Sequence, residues 1–192
     1  MISKFKQQLQ PLIGIIAHPF LSWNPSVLTL LSLSSALVFF LGAIFHIYWL
    51  SIVSILGFLF DAIDGYVARK TGKVTKFGGF LDSTTDRIAD ALLMSAFGYA
   101  GLVSWTIVVP LIVTSLLISY IRARGEFAFL LQKSAAEGLM QRTERIIILY
   151  VLFLAFVSTN STGVLFWGIL VITILNCFTI LQRLLFFARQ SE

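Results

Sequence analysis

The 192-residue chain contains one cysteine, Cys177, and two histidines, His18 and His46. A lone cysteine inside an apolar run excludes an intramolecular disulfide and gives redox chemistry no foothold. With no thiolate pair and two histidines far apart in sequence, zinc-type ligation has no donor set either. Charge is scarce as well. Asp, Glu, Lys and Arg make up 12% of residues, against about 25% in an ordinary soluble domain, while 58% are hydrophobic and the mean hydropathy is +0.92. A soluble domain this short could not bury so much apolar surface, and the apolar stretches reach the roughly 18–20 residues that cross a bilayer. The composition therefore predicts an all-α polytopic membrane protein with no large soluble domain. No short apolar segment with a basic front and a small-residue cleavage site is present, so no removable signal peptide is expected. The net charge of +5 is not laid out as a basic stripe with interleaved exposed aromatics, so nucleic acid is not an expected partner.

Six transmembrane helices are expected, at about 25–45, 49–70, 79–101, 105–124, 144–159 and 163–187. Residues 1–23 mix Lys4, Lys6 and Gln7 with Phe5, Leu9, Leu12 and Ile13. That stretch is too polar at its front to span and predicts an interfacial amphipathic helix, leaving 24–192 as the transmembrane domain. Asn24-Pro25 supplies a helix start, with Asn at the N-cap and Pro at the first helical position. With six spans, Lys4 and Lys6, Arg69 to Lys76, Arg122 to Arg145, and Arg183 with Arg189 all fall at span ends on one side. The alternate connections near 46, 103 and 160 carry no Lys or Arg. The positive-inside rule then places both termini and the acidic cluster toward the cytoplasm, in a cell membrane.

That acidic cluster demands a reason, since an Asp at mid-membrane costs about 2.5–3.5 kcal/mol even on insertion scales. Asp61 and Asp64 are spaced i, i+3 and Asp82 and Asp86 i, i+4, so each pair shares a helix face. A short polar turn joins the two helices and would set the pairs opposite each other. The result is an oxygen-only cage of formal charge −4, which two divalent hard cations would neutralise; all-oxygen ligation favours Mg²⁺, Mn²⁺ or Ca²⁺. Gly65 and Ala68 continue the Asp61 and Asp64 face, and Gly78 and Gly79 open the next helix, so a bulky phosphate ligand could approach. Close packing of membrane helices accounts for such small residues equally well. Arg69, able to bind phosphate bidentately, follows on the same stretch. Metals and an arginine in a pocket between helices describe phosphoryl transfer. A cation transporter is a remote alternative, but its carboxylates should be spread through the membrane depth and not gathered at one end of two helices.

The stretch Asp61-Ala-Ile-Asp64-Gly65-Tyr-Val-Ala68-Arg69, then Gly78, Asp82 and Asp86, resembles the full signature of the CDP-alcohol phosphatidyltransferases, D-x2-D-G-x2-A-R-x8-G-x3-D-x3-D, at all eight fixed positions. The resemblance implies that Asp61, Asp64, Asp82 and Asp86 bind two divalent cations, Mg²⁺ or Mn²⁺, with Asp86 also the general base. It assigns Asn24, Pro25, Ser26, Val27, Gly65, Ala68, Arg69, Thr75 and Gly78 to the CDP-lipid, and it implies a homodimer among membrane lipids. Asp90 lies one turn beyond the signature and outside it.

For the acceptor, Arg122, Arg124, Arg142, Arg145 and Arg183 suit an anionic alcohol. Snorkelling to headgroups as topological anchors is the competing explanation, and it weighs most on Arg124 and Arg145. The pattern is similar to the branch of the family that makes phosphatidylinositol phosphate or archaetidylinositol phosphate. There a Ser, a Lys and two later Arg hold inositol phosphate; Ser119, Arg122, Arg142 and Arg183 would correspond, with Arg122 where Lys is usual. Expected chemistry is transfer of a phosphatidyl or archaetidyl group from a CDP-lipid to inositol phosphate with release of CMP. Glycerol 3-phosphate, the acceptor of phosphatidylglycerophosphate synthases, is the alternative. Purely apolar tail-binding walls do not distinguish diacylglycerol from archaeol.

Overall fold

The computed structural model describes residues 14–129 and 138–190. Every regular element among them is helical. Most of the expected interfacial helix lies outside the described residues; its described end is a helical turn at 14–17 followed by the 3-10 turn His18–Phe20. Helix α1 is Pro25–Ile44, α2 Tyr48–Val53, α3 Phe58–Lys70, α4 Lys76–Tyr99, α5 Trp105–Ala128, α6 Arg142–Thr159 and α7 Thr162–Arg189. The chain forms two compact units, Met1–Leu93 and Met94–Glu192.

Among the described residues, four helical segments are long and apolar enough to cross a membrane: Pro25–Ile44, Tyr48–Lys70, Trp105–Ala128 and Thr162–Arg189. The chain is thus a membrane protein by its helices. α4 and α6 occupy the places of the third and fifth expected spans, but each carries too much charge to qualify by composition. α4 holds Asp82, Asp86, Arg87 and Asp90, and α6 opens on Arg142, Glu144 and Arg145.

In the first unit, α1 starts as its sequence demands. The Asn24 side chain accepts from the Ser26 N–H at 3.1 Å, and Pro25 fills the first position, where no N–H is needed. The chain reverses at His46, whose φ of 57° is left-handed, while the Ile47 N–H donates to Gly42 O at 2.7 Å. The second expected span is interrupted: between α2 and α3 the 3-10 turn Ser54–Gly57 replaces α-helix. Close approach explains the break. A Cβ at Gly57 would overlap Ser35 Cβ, and Ser51 donates to Phe39 O at 3.0 Å, so small residues let this segment press on α1. Lower down, Leu28 of α1 packs with Ala17 and with Ile63 and Val67 of α3, flanked by Phe20, Phe60 and Tyr66. That core fixes the face of α3 next to which the carboxylates sit.

The second unit packs α5 and α6 on α7. The Ser104 side chain accepts from the Thr106 N–H, and a capping box starts α6, with the Gln141 N–H donating to Glu144 at 2.9 Å. A polar seam runs along α7. Asn176 Nδ2 donates to Thr114 and Ser115 at 3.1 Å each, Thr179 accepts from the Met140 N–H at 3.0 Å, and Arg183 follows one turn on. In lipid such groups must find partners within the protein, so the seam locks α7 to its neighbours.

Candidate active site: an acidic cluster and a buried basic seam

Asp61 and Asp64 stand on α3, which ends in a Schellman-type cap: Gly72 is left-handed at φ 68° and the Lys73 N–H donates to Ala68 O at 2.9 Å. Thr75 then caps α4, its Oγ1 accepting from the Gly78 N–H at 2.9 Å. This tight turn returns the chain so that Asp82 and Asp86, on one face of α4, meet Asp61. One carboxylate oxygen from each of Asp61, Asp82 and Asp86 lies within 4.8 Å of the others, and all three residues are partly buried. Three carboxylates this close repel one another strongly in a partly desolvated site unless a cation is shared among them. The donor set is all oxygen, which fits a hard divalent ion.

Asp64 is placed differently from its expected partners. It is outside that group; its Oδ2 accepts from the Thr29 hydroxyl at 2.5 Å, and it is only 5% exposed. It remains within electrostatic reach of Asp82 and Asp61. Thr29 escaped the sequence reasoning altogether, because a threonine near the start of an apolar helix has no spacing that singles it out. Asp90, outside the signature, is 3% exposed and so belongs to the interior of the unit.

Around the carboxylates, the guanidinium of Arg69 folds back along its own helix. A Cβ at Gly65 would sit 3.2 Å from Arg69 Nη1, so glycine keeps this room clear. Arg69 and Thr75 are exposed, and Ala68 and Gly78 partly so. Thr75 and Gly78 are joined by the cap hydrogen bond, which gives both a structural part beside the one expected. Of the N-terminal residues, Asn24 and Val27 are exposed and Pro25 and Ser26 partly buried at the first turn of α1.

The arginines occupy the second unit. Arg183 is 2% exposed, its Nη1 donating to Ile118 O at 2.5 Å. Arg122 and Arg145 both lie close enough to repel it, and Glu126 close enough to attract it. Arg145 is fully buried, which removes it from the class of snorkelling anchors. Arg122 pairs with Glu126, Nε to Oε1 at 2.9 Å. Ser119 is partly buried and donates back to Ser115 O at 3.4 Å, and Arg142 is partly buried in the first turn of α6. Arg124 is exposed instead and stacks over Phe127 at 5.7 Å. Thus Arg122, Arg145 and Arg183 gather with Glu126, while Arg124 stays apart at the surface.

A family model for CDP-alcohol phosphatidyltransferases matches residues 22–175, and the chain belongs to that family. Among curated relatives, an archaetidylinositol phosphate synthase of Pyrococcus horikoshii is 39% identical over 69% of this chain and 65% of its own length. A protein of Aquifex aeolicus is 33% identical over 93% of the chain and 88% of its own. The chain covers 64–66% of the length of the three archaeal synthases it matches. Among solved structures, the phosphatidylinositol phosphate synthase of Mycobacterium tuberculosis with CDP-DAG bound superposes with a TM-score of 0.79 at 26% identity, covering 91% of this chain and 92% of that one. The same enzyme in complex with manganese and citrate gives 0.74 at 29% identity, covering 92% and 88%.

Proposed function

We propose that the protein transfers a phosphatidyl or archaetidyl group from a CDP-lipid to inositol phosphate and releases CMP. The observation that carries this reading is the convergence of Asp61, Asp82 and Asp86 on one point of the first unit. The relatives named for inositol phosphate products support the choice of acceptor, and so does the buried arginine seam of the second unit.

Asp61, Asp82 and Asp86, with Asp64, would hold two divalent cations, Mg²⁺ or Mn²⁺, which when bound neutralise a diphosphate and the charge that grows on its leaving oxygen. Arg69 pairs with a donor phosphate, and Gly65, Ala68 and Gly78 keep side chains out of its way. Asn24, Pro25, Ser26, Val27 and Thr75 contact the CDP moiety. Arg122, Arg142 and Arg183, with Ser119, bind the phosphate of the acceptor. Asp86 takes the proton from an acceptor hydroxyl; the oxygen of that hydroxyl forms a bond to the lipid-side phosphorus as the bond from that phosphorus to CMP breaks. Burial of Arg183 strengthens the contact, because an anion displaces no water shell there and meets a donor already oriented by Ile118 O.

The same reading gives α4 and α6 as the remaining two of six spans. Their charged ends lie at the cytoplasmic surface of the cell membrane, residues 1–23 along the interface, and the working form is a homodimer. The deciding experiment offers purified protein a CDP-lipid and Mg²⁺ with inositol phosphate, glycerol 3-phosphate, serine or free inositol, and measures CMP. Inositol phosphate should drive the largest release. A larger release with glycerol 3-phosphate would keep the anionic site and overturn the inositol assignment.

A further inference from the structure

Thr29 of α1 has no part in the chemistry assigned so far, yet its hydroxyl donates to Asp64, one of the four signature aspartates, at 2.5 Å. We propose that Thr29 is a positioning residue for Asp64, fixing that carboxylate for metal binding. This rests on the metal-centre assignment above.

The geometry is specific. Thr29 Oγ1 lies 2.5 Å from Asp64 Oδ2 and 3.2 Å from Pro25 O. A hydroxyl has one proton, and the contact to the carboxyl oxygen, shorter than the one to the carbonyl, takes it. Both residues are 5% exposed, so water does not compete for either partner. The bond is held from both sides by the core, since Leu28 and Ile63, the chain neighbours of Thr29 and Asp64, pack together in one cluster. Asp64 Oδ2 is thereby engaged, which restricts the rotation of the carboxylate and orients it.

Partners that orient a metal-ligating carboxylate set affinity, and their loss lowers it by about 10- to 100-fold. The test is Mn²⁺ titration of the purified full chain in detergent, without lipid, with free Mn²⁺ followed by electron paramagnetic resonance. Thr29→Val keeps the shape and removes the donor, and should raise the Kd for Mn²⁺ by about 10- to 100-fold. Thr29→Ala, which puts no methyl against the carboxylate, should do the same. Thr29→Ser retains the hydroxyl and should restore binding to nearly the wild-type Kd, a rescue that a purely structural role for the side chain would not give. Wild-type affinity in Thr29→Val and Thr29→Ala overturns the proposal, as does a Thr29→Ser variant as weak as Thr29→Val. Asp82→Asn separates the two levels. If it takes up Mn²⁺ as well as wild type does, the metal centre itself is wrong and the role of Thr29 falls with it; if it alone loses binding, only the role of Thr29 falls.

Discussion

Residues 58–90 present their charged groups from two successive helices joined by one tight turn, and Asp61, Asp82 and Asp86 remain partly buried. Residues 115–183 assemble theirs from α5, α6 and α7, and the central ones, Arg145 and Arg183, are buried almost completely. The acidic cluster is encoded locally, at spacings of three and four within a helix, and its carboxylates stay partly open. The basic seam depends on packing between helices distant in sequence, and it gives up hydration to gain strength for a small anion. On the proposed function, the first region takes a bulky lipid donor and the second a small soluble acceptor, and the two designs suit that division.

The comparison breaks most visibly if the acidic cluster can lose a member. Asp82→Asn and Asp86→Asn should each lower CMP release by about 10³-fold, several kcal/mol of charge stabilisation at about 1.36 kcal/mol per decade, with the protein still in the membrane fraction. EDTA should do the same to the wild type, and Mg²⁺ or Mn²⁺ should restore it. Near-normal turnover in either variant would remove the reason for grouping these carboxylates.

The parts legible in the sequence are those with local causes. Asn24-Pro25 announces a helix start because cap and first-turn chemistry involve neighbours only, and the structure carries that cap. The spacing of Asp61, Asp82 and Asp86 likewise forecast their meeting, since two helices and a short turn leave few alternatives. Thr29 was invisible because its partner is 35 residues away and nothing in α1 marks it. The burial of Arg145 was hidden for a similar reason: an arginine at a span end looks like an anchor until the helices packed around it are known. The 3-10 turn at Ser54–Gly57 depends on contact with Ser35, which no pattern within 48–70 could convey.

Smaller effects sharpen the same contrast. Thr75→Val removes the hydroxyl that accepts the Gly78 N–H and should cost about 1 kcal/mol, seen as a melting temperature about 2–4 °C lower, together with a modest rise in the KM for the CDP-lipid. A change in the inositol phosphate KM of the same size would mean that the turn serves both substrates. Smallest of all should be Arg124→Gln. That side chain is exposed over Phe127, and exposed charges contribute little, so the acceptor KM should stay within about twofold. A tenfold rise would place Arg124 with the buried seam.

The division of labour itself is tested most directly by initial rates of CMP release over a grid of CDP-lipid and inositol phosphate concentrations, for wild type, Arg69→Gln and Arg183→Gln. Removing a charge-assisted hydrogen bond worth about 1.5–3 kcal/mol should raise one KM by about 10- to 150-fold. For Arg183→Gln that KM should be the one for inositol phosphate, and for Arg69→Gln the one for CDP-lipid, each variant leaving the other constant nearly unchanged. Two variants that raise the same KM, or raise both alike, would contradict the assignment of donor and acceptor to separate regions of the chain.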